Sequence, residues 1–538
     1  MAAKLAKPKK RKESAGKQIT KNLLEYMSVV WAMVLVVALP LYMKEGYYQI
    51  GVAKYDAYAH IAVFGLPILL LLVGIYLVCA YKENRMNSNE GKTRRKNLSL
   101  TDWFMLVYIV TVCIAFFASG SLKEAFWGYE GWYMGLFSQI TFVLVYFIIS
   151  RFLKDYPIVL GTLCLTASYV FVQGILHRMN IDTIGVYENL SDYYKSQFLS
   201  TLGQASWYSS FMTTVLPIGM FAYWHYKNVI LRVLSAVFMF LGFMTLVTQN
   251  TDSAYMGFAA AMLVLLHVSA KDAGRLRRWF EIALLFVVAP KCMAGLLHIH
   301  PNPAMEWDAI SALLMEDVRI WILAVFCIVM VVLIAWAERK NKYPVKTALI
   351  TRNIIYIGMG ALVLLWIVVL IASAHGCLPN FISNIGEKIP YLEWNHEWGN
   401  GRGFTWSVTA KMFSEMNFKN KLIGVGPDCY ALYAHGNYAD LIATQWGGAV
   451  LTNAHNEWFN MFINGGVLGG VTYLGIFISA LVRFVKCSEN CPMLVGFAAC
   501  IAAYMAHNIF CYQQILCTPF VILFMALGEY QIRKKEES

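Results

Sequence analysis

Apolar runs of about 17 to 24 residues recur along the whole chain, and a helix of that length spans the hydrocarbon of a bilayer. Runs of this kind lie near residues 26 to 43, 58 to 81, 103 to 118, 132 to 150, 157 to 176, 206 to 224, 229 to 248, 253 to 270, 280 to 298, 319 to 337, 354 to 375, 457 to 482, 493 to 510 and 515 to 531. The pattern predicts an all-α, polytopic transmembrane helix bundle of about fourteen spans, with twelve as the lower bound because the connections inside 206 to 248 and 493 to 531 are short. Most connections are brief. The exception is residues 376 to 456, too polar and glycine-rich to span, which are expected to form one large extracytoplasmic region containing short helices.

Charge placement orients the bundle. The 538 residues are 59% hydrophobic and 14% charged, with a net charge of +12. Basic residues cluster between alternate runs: Lys4 to Lys12, Lys82 to Lys96, Arg151 with Lys154, Lys227 with Arg232, Lys271 to Arg278, Arg339 to Arg352, Arg483 with Lys486, and Arg533 to Lys535. Cationic loops stay in the cytoplasm, so both termini are expected there, and the +12 implies no nucleic-acid partner. The N-terminal KPKKRK reads as a cytoplasmic anchor beside anionic lipid. No cleavable leader stands apart, so the first span is expected to be retained. The expected division is a basic N-terminus, 1–25; an N-terminal transmembrane bundle, 26–375; the large outer region, 376–456; C-terminal transmembrane helices, 457–532; and a cytoplasmic tail, 533–538.

The 12 cysteines form no CxxC and no Cys/His cluster, which leaves no candidate metal site. Cys377 and Cys429 share the outer region, and a disulfide between them is open. No cofactor motif is present.

Three stretches of the outer region carry chemistry. In GNGRGFTWSVTAKMF, Gly399 to Phe413, Arg402 stands among glycines that let backbone N–H groups approach a ligand, and its guanidinium suits phosphate oxygens. Phe404, Val408 and Met412 follow at helical spacing, which puts Arg402 at the mouth of an amphipathic helix, where anions are favoured. KLIGVGPDCY, Lys421 to Tyr430, is a tight turn expected to return the chain, with Asp428, toward Arg402. In TNAHNEWFNMFINGGVLGG, Thr452 or Asn453 can cap a helix whose first turn holds His455, Asn456 and Glu457, with Gly465 and Gly466 breaking it before the next span. The positive end of that helix would keep His455 neutral and able to accept a proton. On the same face, STLGQASWYSSF brings Gln204, and VTQNTDSAY brings Asp252, an acid costly to leave unpaired and a candidate partner for Arg402.

GRGFTW, KLIGVGPDCY and NAHNEWFNMFINGGVLGG, with TLGQASWYSSFMTTVLPIG and TQNTDSAYMGF upstream, together resemble the O-antigen ligase and O-antigen polymerase superfamily, polytopic bacterial glycosyltransferases of the GT-C type, over residues 200 to 485. The resemblance implies transfer of a glycan from a polyprenyl (undecaprenyl) pyrophosphate to an acceptor hydroxyl on the outer face of the bacterial plasma membrane, without metal or cofactor. The acceptor class, glycan, lipid, protein or wall, stays open, as does ligase versus polymerase. His455 matches the family's general base and Arg402 its pyrophosphate-binding arginine. Asp252, Gln204, Asn453 and Asn456 are expected to orient sugar hydroxyls or the base, and Trp406, Asp428 and Glu457 complete the expected substrate-binding set. Where many members carry Ser-Arg, this chain has Thr251 and Asp252, so either another cation substitutes, with Arg178, Lys411 and Lys421 as candidates, or the donor is bound differently. The alternative from another class is a flippase for lipid-linked glycans; against it, the ionisable residues gather at one end of the bundle rather than at mid-membrane.

Overall fold

A computed structural model describes residues 14–86, 98–188, 190–302, 306–378 and 390–537. The KPKKRK tract, most of the 82 to 96 basic cluster and residues 379–389 of the outer region lie outside them. Each of the fourteen apolar runs is helical. Nine of the described helices are long and apolar enough to cross a membrane: Ala15–Leu41, Ile50–Glu83, Leu100–Ala118, Tyr156–Arg178, Val229–Thr248, Ala273–Ile299, Ile320–Arg339, Val345–Ala374 and Glu457–Cys487. Leu136–Phe152, Ser253–Ser269 and Met493–His507 are shorter apolar helices. The protein is therefore an all-α, multi-pass membrane bundle, relieved by one two-residue hairpin that pairs Phe198 with Gln204.

Helices Ala205–His225 and Met493–His507, with Thr518–Glu537 as far as Glu529, form the centre, and most of their side chains are buried. Close approach requires small residues: a Cβ on Gly257 would strike Thr213 and, at 2.9 Å, the Ala503 carbonyl, so Ser253–Ser269 can lie directly against Met493–His507. In contrast, no side chain of Val345–Ala374 is buried, the signature of a peripheral helix turned to lipid.

The two ends of the bundle differ in charge. Leu100–Ala118 starts with a capping box between Ser99 and Asp102. The Asp102 carboxylate, fully buried, also accepts from Tyr146 (3.0 Å) and Arg151 (3.1 Å) and pairs with Arg533. Arg483 and Arg533 both pair with the buried Glu529, at 3.0 and 3.2 Å. Ion pairs thus satisfy the two acids that would otherwise be expensive in an apolar setting. Thr518–Glu537 runs from this cluster to the opposite end, where the cavity described below opens.

The helix that begins at Glu457 breaks at Gly466 (φ 64°, ψ −166°), one of the two glycines expected to interrupt it. The break frees carbonyls, and the GVGPD turn takes them: Val425 N–H donates to Ile463 O (3.1 Å) and Gly426 N–H to Asn464 O (3.0 Å). This turn therefore docks on residues 463 and 464 and does not return Asp428 to Arg402. Asp428 instead accepts from the backbone N–H groups of Tyr129 and Met134, both at 2.9 Å, and so ties the GVGPD turn to the 128–134 loop. Burial raises its carboxyl to about 7 against the opposing pull of those two donors. Cys377 and Cys429 are free thiols, one exposed and one buried, so the open disulfide is not formed.

Candidate functional site

Arg402 owes its place to an unusual run of backbone. Gly399, Asn400 and Gly401 all adopt left-handed conformations, with φ of 61°, 62° and 80°, so the regular helix starts only at Arg402. The buried stripe Phe404, Val408 and Met412 then seats that helix on Tyr430, Ala434 and Ile442 of the Tyr430–Trp446 helix. Arg402 Nη1 donates to Gly399 O at 2.6 Å and Nε to Phe510 O at 3.1 Å, with the guanidinium 5.9 Å from the Phe510 ring centroid. Among the described residues Nη2 takes no partner, so it is the edge of the fork that remains for a ligand. Trp406 does not reach the cavity; its ring stacks behind Phe510 at 5.6 Å and backs the arginine's wall.

His455 sits in a strained turn. Its φ is 47°, uncommon for a residue with a Cβ and a recurring feature of functional sites. Three asparagines hold that turn: Asn453 Oδ1 accepts from His455 N–H (2.8 Å), Asn460 Oδ1 from Ala454 N–H (3.2 Å), and Asn456 Oδ1 from Phe459 N–H (3.0 Å). Asn456, not Thr452 or Asn453, is the helix cap, and His455 lies before the first turn rather than in it. Asn453 and Asn456 therefore shape the backbone and do not line the cavity. The His455 ring meets Tyr512 edge-on at 5.3 Å. Burial, then the nearby charge of Arg402, lowers its pKa from 6.5 to about 4. The neutral ring thus has a different cause from the helix dipole expected above.

Glu457 is fully buried and faces away from the cavity. It accepts from Tyr473 (2.5 Å), Tyr504 (2.9 Å) and Asn508, while its N–H donates to Asn508 O at 3.0 Å. It is a knot between the His455 turn and the segment that carries Phe510 and Tyr512.

A cavity of about 920 Å³ collects the remaining candidates: Arg402, His455, Asp252 and Gln204 all line it. Asp252 is not ion-paired with Arg402; its Oδ2 accepts from the Tyr391 hydroxyl. Burial raises Asp252 to about 6, with the Tyr391 bond lowering it, Asp308 raising it and Arg402 lowering it again. Arg402 is the only Lys or Arg among the described lining residues. None of the three candidate substitutes reaches it. Arg178, fully buried, donates to the carbonyls of Thr248 (2.7 Å) and Lys195 (2.8 Å). Lys411 pairs with Glu415 at 2.9 Å, and Lys421 belongs to the Phe418–Ile423 helix beside residues 463 to 466.

Sequence reading missed Asp308, Trp366, Tyr391, Phe510 and Tyr512, which also line the cavity. The polar and aromatic run HNIFCYQQ, residues 507 to 514, is the signal that could have located the last two, since it interrupts an apolar region too abruptly for a span.

The pH dependence of stability follows from His455. The folded ring binds a proton near 4 and a free one near 6.5, so between those values the unfolded chain binds more protons. Its contribution is fully present above 6.5 and is lost as pH falls through 6.5 toward 4. His455→Gln is expected to flatten this part of the profile of thermal unfolding in detergent; an unchanged profile would contradict the assignment.

The helical bundle defines a multi-pass membrane protein, and its cavity holds one arginine and one histidine among the described lining residues. Residues 308–474 match the family model described as O-Antigen ligase (Wzy_C). The matched stretch includes Asp308, Tyr391, Arg402 and His455. No curated protein matches the chain.

Proposed function

We propose that this protein is a glycosyltransferase of the bacterial plasma membrane, with both termini cytoplasmic, that transfers a glycan from a polyprenyl (undecaprenyl) pyrophosphate to an acceptor hydroxyl on the outer face. The observation that carries this reading is the meeting of Arg402 and His455, from two distant parts of the matched stretch, in a single cavity. The basic cluster of Arg151, Arg483 and Arg533 at the opposite end supports an outer placement of that cavity.

In this mechanism the pyrophosphate binds the open edge of Arg402, which stabilises charge that develops as the bond from the sugar's anomeric carbon to the pyrophosphate oxygen breaks. His455 accepts the acceptor hydroxyl's proton as the new glycosidic bond forms. A proton affinity near 4 is poor for a base. Burial is the larger cause of that value and Arg402 the second; pyrophosphate on Arg402 offsets the second, because its negative charge neutralises the guanidinium and stabilises an imidazolium beside it. No metal is required in these steps.

The test is transfer by the purified, detergent-solubilised protein, supplied with a polyprenyl-pyrophosphate oligosaccharide and candidate saccharide and lipid acceptors, with products read by mass spectrometry. Wild type is expected to form product, and His455→Ala to lose about 10²-fold or more, the typical share of a general base. Product at the wild-type rate from His455→Ala would overturn the role of His455. Unchanged donor with every acceptor, accompanied by movement of the lipid across vesicles, would favour a flippase.

A further inference from the structure

The cavity is not uniformly cationic. Against the single guanidinium of Arg402 stand two carboxylates, Asp252 and Asp308, both in its wall. Asn250 brings them together: its Oδ1 accepts from Asp308 N–H (2.6 Å) and its Nδ2 donates to Glu306 O (2.8 Å), which zips the 249–252 loop to the 306–308 loop. The two acids are differently equipped. Asp308 accepts from Ile310 N–H (3.0 Å), Ser311 N–H (2.8 Å) and Ser311 Oγ (2.6 Å), so its charge is well supported. Asp252 has the Tyr391 hydroxyl on Oδ2 and the Asp308 side chain as a neighbour, while its Oδ1 is buried with no donor among the described residues. Tyr391 is itself fixed, because its carbonyl accepts from the indoles of Trp366 (3.0 Å) and Trp398 (3.3 Å). An orphaned carboxylate oxygen in a ligand cavity calls for a donor from the ligand. Trp366, Trp446 and Tyr255 supply aromatic surface in the same wall, suited to the faces of a sugar ring.

Resting on the transferase reading above, we propose that the Asp252–Asp308 pair selects the sugar that adjoins the pyrophosphate, admitting a ring that bears hydroxyl or ammonium donors and rejecting one that bears a carboxylate. Arg402, Asp252 and Asp308 line one cavity, so an anion seated on Arg402 places its neighbouring ring in the space that the acids share. A hydroxyl or ammonium donates to Asp252 Oδ1. A uronic acid ring meets two carboxyl groups with no second Lys or Arg among the described lining residues to offset them.

The experiment is equilibrium binding to the purified full chain in detergent of three polyprenyl-pyrophosphate monosaccharides, carrying a neutral hexose, an amino hexose with a free amine, or a hexuronic acid. Wild type is expected to bind the hexuronic acid at least about tenfold more weakly than the other two, the discrimination expected from a juxtaposed like charge. Asp252→Asn and Asp308→Asn, tested separately because either could disturb its loop, are expected to narrow that ratio to within about threefold. Equal binding of all three by wild type, an unchanged ratio in both variants, or no binding of any would overturn the proposal. Transfer from the neutral donor is scored separately: selective binding without transfer would sink the transferase reading alone, and transfer without selectivity would sink this one alone.

Discussion

Arg402→Ala is expected to lose about 10²- to 10³-fold or more in transfer rate, the cost of removing one preorganised donor at a developing charge. The reason is specific to this cavity. Arg402 is its sole Lys or Arg among the described lining residues, and Arg178, Lys411 and Lys421 are all engaged or placed elsewhere. No other described lining residue carries a cation that can take over the leaving group. Arg402→Lys is expected to fail almost as badly, although the charge is kept. An ammonium cannot reproduce the fork that bonds Gly399 O and Phe510 O on one side while presenting Nη2 on the other. Initial rates with a fixed donor, measured beside the thermal stability of each variant, separate this from misfolding. A folded Arg402→Ala protein working at the wild-type rate would remove Arg402 from the mechanism.

Glu457→Leu is expected to have the largest effect on the fold. The carboxylate accepts from three buried donors, Tyr473, Tyr504 and Asn508, and an apolar replacement leaves all three without it. Each buried polar group left unsatisfied costs about 1–3 kcal/mol; Tyr504 keeps Thr518 at 3.0 Å, and the Tyr473 hydroxyl still accepts from Gln513 Nε2 at 3.0 Å but loses the acceptor for its own proton. A loss on the order of 3 kcal/mol or more is expected, read as a lowered unfolding temperature in detergent and poor recovery from membranes. Glu457→Gln retains one acceptor oxygen and should lie between. Because Asn508 also stands two residues before the Phe510 carbonyl that holds Arg402, Glu457→Gln is expected to slow transfer without any contact with substrate. A Glu457→Leu protein as stable as wild type would show that the knot is dispensable.

Between these two residues lies the difference between a motif and a site. His455, Asn456 and Glu457 are consecutive, yet the turn at His455 sends the imidazole into the cavity, makes Asn456 a cap and buries Glu457 behind the wall. Adjacency in sequence brought them to attention together. A left-handed φ at one residue gave them separate tasks.

The apolar periodicity alone determined the all-α bundle and the position of the nine described helices long and apolar enough to cross a membrane, because a bilayer demands a minimum length of apolar helix whatever its neighbours are. It also located the Gly466 break, since glycine freed of a Cβ is a local property. The motifs brought out Arg402, His455, Asp252 and Gln204 by residue type and by their proximity to an apolar boundary. Which residues share a cavity is a different kind of fact. Tyr391 meets Asp252 across 139 positions and Arg402 meets Phe510 across 108, contacts set by how helices pack rather than by any local pattern. The carboxylate pair, the support of Arg402 by two carbonyls and the retirement of Asp428 to a backbone tether follow from that packing. Only the tertiary structure could decide them, because burial and charge pairing depend on neighbours that are distant in the chain.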